Sequence, residues 1–181
     1  MFKKLQTSRE VYKGRQFLVE SDELELPNGR VVARDTVRHP GAVVILPITE
    51  SGKFLFVEQY RHSVGQVLLE CPAGTLEKNE IPLECAKREI IEEVGMSASS
   101  WLSMGTIFPA PGFCDELQYL FVARGLSPSK LDPDEDEFIE VKEFSLQQLK
   151  TAVSEGQLQD AKSLALILRG AMVLPELQGL I

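Results

Sequence analysis

Glu80, Arg88, Glu89, Glu92 and Glu93 fall at fixed intervals between Gly74 and Gly95, in the run GTLEKNEIPLECAKREIIEEVGM. The run follows G-x5-E-x7-R-E-U-x-E-E-x-G-U without a mismatch, where U is a bulky apolar residue. Carboxylates gathered this densely suit hard cations such as Mg²⁺ or Mn²⁺, which take oxygen ligands. Those ions neutralise phosphoryl charge, so the chemistry implied is divalent-cation-assisted attack on a phosphate anhydride.

A helix must present these acids. After Pro82, which suits a first helical position, Leu83, Ala86, Ile90, Ile91 and Val94 recur at helical spacing and form one apolar stripe. Glu89, Glu92 and Glu93 stand three and four residues apart, so their carboxylates emerge on adjoining surface away from that stripe. Like charges so close repel, and a bound divalent cation would reverse the sign of that interaction. Gly95 then suits a left-handed helix end, and Gly74 a tight turn that lets a carbonyl face an ion. Arg88 has two readings: a partner that fixes the acids, or a surface ion pair with Glu84 one turn earlier, worth only about 0.3–0.5 kcal/mol.

The segment resembles the Nudix box. The resemblance implies that the carbonyl of Ala73 and the carboxylates of Glu89 and Glu93 are the main metal ligands, with Glu92 auxiliary and Glu80 and Arg88 supporting them. Its implied cofactor is Mg²⁺, with Mn²⁺ as a substitute, at two or three ions per site. Outside the box, Pro-Gly-Phe-Cys-Asp-Glu from Pro111 is similar to the PG-x-x-x-E segment of the branch that hydrolyses ADP-ribose and nucleoside diphosphate sugars. Glu58-Gln59-Tyr60-Arg61 and Leu69-Glu70-Cys71-Pro72-Ala73-Gly74 resemble that branch too.

Within that resemblance, Arg61 contacts the diphosphate through its planar guanidinium, and Glu116 sits against substrate hydroxyls or a metal-bound water. The ordinary alternatives are an Arg61–Glu58 pair on an exposed edge and a surface position for Glu116. Arg34 and Arg38 are candidates to point at phosphate or nucleotide, and His39 belongs to the turn before Pro40. By composition, Asp134-Glu135-Asp136-Glu137 is a solvated charge run. The resemblance instead makes Glu135 the catalytic base and Glu137 a further metal ligand, with the two roles exchangeable. Asp160-Ala161-Lys162 matches an Asp-x-Lys feature of nucleoside diphosphate sugar hydrolases, although Asp160 is also an evident N-cap worth about 1 kcal/mol.

The chain has 181 residues, 44% of them hydrophobic, enough for one good core and a single domain. A formal charge of −8 argues against a surface that coats nucleic acid, which disfavours a messenger-RNA decapping role. Cys71, Cys85 and Cys114 lack paired spacing, so they are expected as buried thiols rather than a disulfide framework or zinc site. No signal-peptide pattern and no bilayer-length apolar run is present, which makes a cytoplasmic address the expectation.

Strands are expected at Phe17 to Leu26 and Val31 to Val37 around Pro27-Asn28-Gly29, forming an N-terminal hairpin. Further strands are expected at Ala42 to Ile48, at its antiparallel partner Phe54 to Tyr60, at Val67 to Leu69, Trp101 to Met104, Gln118 to Ala123 and Phe138 to Val141. Helical patterns follow near Ser145 to Ser154 and Asp160 to Leu174. This mixture points to α/β architecture, an α/β/α sandwich around a mixed sheet as the resemblance implies. Residues 41–181 would be the catalytic core, and residues 1–40 a hairpin arm exchanged across a homodimer. The implied reaction is hydrolysis of a nucleotide sugar to a nucleoside monophosphate and a sugar phosphate. The alternatives are an ADP-ribose-specific pyrophosphatase and, more distantly, a nucleotide-sensing module without catalysis.

Overall fold

The structure is a computed structural model that describes residues 1–5, 8–129 and 138–180. The chain divides into two compact units, one of Met1–Gly41 with Phe108–Leu117, the other of Ala42–Ile107 with Gln118–Ile181.

The first unit is a sheet of β1 (Lys3–Lys4), β2 (Arg9–Lys13), β3 (Leu18–Glu25) and β4 (Val31–Arg38). The expected hairpin is β3–β4, in register from Leu18 opposite Arg38 to Glu25 opposite Val31. Its turn closes with the Leu26 N–H donating to the Arg30 carbonyl at 2.8 Å, and Gly29 adopts φ 79°, a conformation open to glycine at little cost. Strands β1 and β2 pair with β3 as well. Their charged sequences, KK and REVYK, carry no apolar alternation that would announce them. The turn-rich segment after Phe108 is tied to β4, because the Val37 N–H donates to the Phe113 carbonyl and the Asp115 N–H to the Val37 carbonyl.

The second unit holds two sheets. A mixed one, in the order β8 (Ala73–Thr75), β5 (Ala42–Pro47), β10 (Gln118–Pro128), β9 (Met96–Ile107), has β5 and β10 parallel and its other neighbours antiparallel. The second runs β11 (Ile139–Phe144), β6 (Phe54–Arg61), β7 (Gln66–Glu70). The expected pairing of Ala42–Ile48 with Phe54–Tyr60 is therefore wrong as a ladder: the two pair at a single antiparallel bridge, Ile48 to Phe54. Both edges of β5 are already taken by β10 and β8, as its unbroken burial requires of a central strand.

Side chains of β5 alternate between two cores. Val43 and Ile45 join Cys85, Ala86 and Ile90 of α1 (Pro82–Val94). Val44 and Leu46 join Leu149 of α2 (Leu146–Ser154) and Leu166 and Ile167 of α3 (Ala161–Val173). Helices thus cover both faces of the mixed sheet, the α/β/α layering expected. The helix ends follow local chemistry: Gly95 closes α1 at φ 71°, Ser145 and Gln148 form a capping box on α2, and the Asp160 side chain caps α3.

Candidate active site

Helix α1 carries the acids, but two of them are less exposed than the surface position expected from their spacing. Glu89 and Glu93 are buried, at 8% and 7% exposure, together with Cys85 on the same side. Positions 85, 89 and 93 are one turn apart, and they face the short strand β8 rather than water. The Ala73 N–H donates to Glu93 Oε2 at 2.9 Å. A Cβ at Gly74 would overlap the carboxyl group of Glu89. Gly74 lies inside β8 opposite Val43, so its task is not the tight turn expected from sequence: it leaves room for a carboxylate against the backbone.

Arg88 resolves in favour of the supporting role. It forms a fork on Glu80, with Nε and Nη2 each 3.1 Å from a carboxylate oxygen, while Nη1 reaches Glu89 Oε1 at 2.6 Å and Glu92 Oε2 at 2.8 Å. Glu84, the other candidate partner, pairs with Lys87. One guanidinium therefore offsets the repulsion among the box acids, a task the sequence reading left to a bound cation. Burial opposes the charge on Arg88, but the Glu80, Glu89 and Glu92 carboxylates outweigh it and raise its pKa. The Arg88 hydrogen bonds in turn hold Glu80 below the usual carboxylate range.

Arg61 takes neither the exposed Glu58 pair nor a solvent position. Its Nε and Nη2 donate to the two oxygens of Glu70 at 2.8 and 2.7 Å, whereas Glu58 lies 3.4 Å from Lys142. Lys162 also donates to Glu70 and lies 3.0 Å from Asp160 Oδ1. Asp160 caps α3 by accepting from the Ser163 N–H at 3.0 Å. Glu70 is a residue that sequence reasoning missed. The available signal was a carboxylate at the end of VLLE, an otherwise apolar strand, directly before Cys-Pro-Ala-Gly.

In the first unit, Arg34 is exposed and its Nη1 donates to the Ala33 carbonyl. Arg38 is committed to acids: Glu20 at 2.8 Å, Asp115 at 3.0 Å and Asp22 at 3.5 Å. Hydrogen bonds to Glu20 and Asp115 raise its pKa and hold the guanidinium against this unit's own carboxylates. His39 serves the turn, its Nδ1 accepting from the Gly41 N–H at 3.1 Å and lying 3.8 Å from Glu116. Glu135 and Glu137 lie outside the described residues. Cys71 and Cys85 are free, buried thiols, and Cys114 is free and half-buried. Burial pushes the Cys71 thiol up to about 12 and raises Cys85 as well.

Layered α/β/α architecture with carboxylates packed between a helix and a strand backbone presents hard oxygen donors of the kind that suit a divalent cation. The chain belongs to the Nudix family, whose NUDIX domain profile matches residues 37–167. It is 38% identical to an ADP-ribose pyrophosphatase of Bacillus subtilis over 85% of this chain and 84% of that one. It is 30% identical to a GDP-mannose pyrophosphatase of Yersinia pestis over 72% of this chain and 70% of that one. A crystal structure of an ADP compounds hydrolase superposes with a TM-score of 0.79 at 26% identity, covering 99% of this chain and all of the other. Among the described residues, no helix is long and apolar enough to cross a membrane.

Proposed function

We propose that the protein hydrolyses the diphosphate of nucleoside diphosphate sugars, ADP-ribose and GDP-mannose among them, to a nucleoside monophosphate and a sugar phosphate. The single observation that carries this is the pair Glu89 and Glu93, buried against the Ala73–Gly74 backbone where the absence of a side chain at Gly74 makes room for a carboxylate. Hard oxygen donors in that setting suit Mg²⁺, or Mn²⁺ in its place, at two or three ions. Among the described residues no three His, Cys, Asp or Glu side chains are grouped to hold a metal ion by themselves. Ala73, Glu89 and Glu93 are the residues that would hold the cation, with Glu92 auxiliary and Glu137 as an added ligand. A bound divalent cation supplies charge neutralisation at the anhydride and a more acidic water.

The chain's own residues then have defined tasks. Glu135 takes the proton from the attacking water, with Glu137 as the alternative base. The new bond forms between that water's oxygen and phosphorus, while the bond from phosphorus to the bridging oxygen breaks. The bridging oxygen leaves with the other phosphate. Arg61 and Lys162 bind the diphosphate, and Asp160 keeps α3 in place beneath Lys162. Glu80 and Arg88 keep the α1 carboxylates apart and oriented. Arg34 and Glu116 are assigned to the nucleotide or sugar.

ADP-ribose, GDP-mannose and ADP-glucose, each incubated with the protein and Mg²⁺, are expected to yield nucleoside monophosphate and sugar phosphate by ion-exchange chromatography. Turnover of ADP-ribose alone would narrow the enzyme to an ADP-ribose pyrophosphatase, a reading that the Bacillus subtilis relative favours. Turnover of none would overturn the assignment. The protein is further proposed to act in the cytoplasm as a homodimer that exchanges residues 1–40 between copies. Light scattering at micromolar concentration is expected to give about twice the 20.2 kDa chain mass. A monomer would reject the exchange.

A further inference from the structure

Among the described residues no charged side chain is more enclosed than Glu70, at 1% exposure, and the chemistry set out above gives it no task. It stands where β7 ends, and two cations meet on it. The Nε/Nη2 edge of Arg61 forms a fork on both carboxylate oxygens, and Lys162 donates to Oε2, the oxygen that already accepts from Arg61 Nη2. Burial opposes ionisation of Glu70, but those hydrogen bonds and the Lys162 charge outweigh it and keep the carboxyl below its usual range.

The next residue is tied to the same helix. The Cys71 N–H donates to Ser163 Oγ at 2.6 Å, and Ser163 Oγ donates to the capping Asp160. The Glu70 side chain and the Cys71 backbone, three and two residues before Ala73, are thus both fixed to the first turn of α3.

Without an anion between them, the Arg61 and Lys162 charges would repel, and two long side chains would sample many rotamers. The fork on Glu70 uses two of the five N–H donors of Arg61, so donors remain for a second oxyanion. Arg61 is the outer member, with 36% of its side chain exposed against 12% for Lys162.

We propose that Glu70 is a positioning residue that holds Arg61 and Lys162 side by side as one preformed receptor for the substrate's diphosphate. The inference rests on the reading that nucleoside diphosphate sugars are hydrolysed at this site. The receptor is set before substrate arrives, so its loss falls on binding more than on the chemical step.

The test uses full-length protein with ADP-ribose and GDP-mannose under saturating Mg²⁺. Glu70→Gln is expected to raise KM on the order of tenfold while lowering kcat by less than about threefold. If Glu70 acts through Arg61 and Lys162, the double variant Glu70→Gln with Arg61→Ala is expected to lose clearly less than the product of the two single losses, because the share of the Glu70 effect carried by Arg61 is already gone. A purely structural Glu70 would instead multiply the two losses, and that result would overturn the proposal. Should Glu70→Gln fail to fold, Glu70→Asp keeps the charge but draws the fork back by one methylene. A folded Glu70→Asp protein with the wild-type KM would equally reject positioning. If the wild type hydrolyses neither substrate, the functional reading itself has failed; a hydrolytic wild type with an unchanged Glu70→Gln KM defeats only the inference.

Discussion

Replacing Glu93 by Gln is expected to lower turnover of ADP-ribose on the order of a thousandfold or more, with the fold intact. The substitution is nearly isosteric, and an amide oxygen can still accept the Ala73 N–H that now reaches Glu93 Oε2 at 2.9 Å. What disappears is a formal charge at a position only 7% exposed, where water cannot replace it as a counter-charge for a cation. The melting temperature measured without metal is expected to stay level or rise, because removing one of three crowded acids relieves repulsion that Arg88 offsets through Glu89 and Glu92. Calorimetric titration with Mg²⁺ is expected to show a matching loss of affinity. Wild-type turnover by Glu93→Gln under saturating Mg²⁺ would remove Glu93 from the reaction.

Much of this centre is legible because its information is local. The acids, the apolar stripe and Gly95 of α1 lie within a few turns of one another, so spacing alone places them on one helix. Whether the acids face water is not local. Glu89 and Glu93 are buried because β8 passes over them, and that strand's position depends on its pairing with β5 some thirty residues earlier. Glu70 shows the same limit more sharply: its partners stand 9 and 92 positions away, and no period in the sequence connects them. Ser51-Gly52 has the composition of a turn, which suits the expected antiparallel pairing of Phe54 to Tyr60 with Ala42 to Ile48, yet β5 takes its parallel neighbour from Gln118–Ala123. Local turn chemistry reports a change of direction, whereas sheet membership is decided by which edges are still unpaired.

Gly74→Ala separates fold from function at the same centre, and its expected result is a folded protein with at least about a hundredfold lower turnover. The added methyl would occupy the space of the Glu89 carboxyl group, and no small adjustment removes an overlap of that size. Two responses are open: the end of the Glu89 side chain swings away, or β8 leaves its place beside β5. The first costs less. A side chain can change rotamer for roughly 1 kcal/mol, whereas moving β8 breaks its pairing with Val43 and Val44 and disturbs the core of Val43, Ile45 and Ile90. A rotated Glu89 also loses its 2.6 Å contact with Arg88 Nη1, so the penalty on stability is expected to stay within about 1–3 kcal/mol. The displaced carboxylate can no longer meet a cation beside Ala73. Adding Glu89→Gln to Gly74→Ala should therefore lower activity little further, because both changes remove the same ligand. Chemical denaturation and initial rates on the two single variants and the double would decide it. Wild-type activity in Gly74→Ala, or full multiplication of the two losses, would show that the close approach of Glu89 to this strand is packing without catalytic consequence.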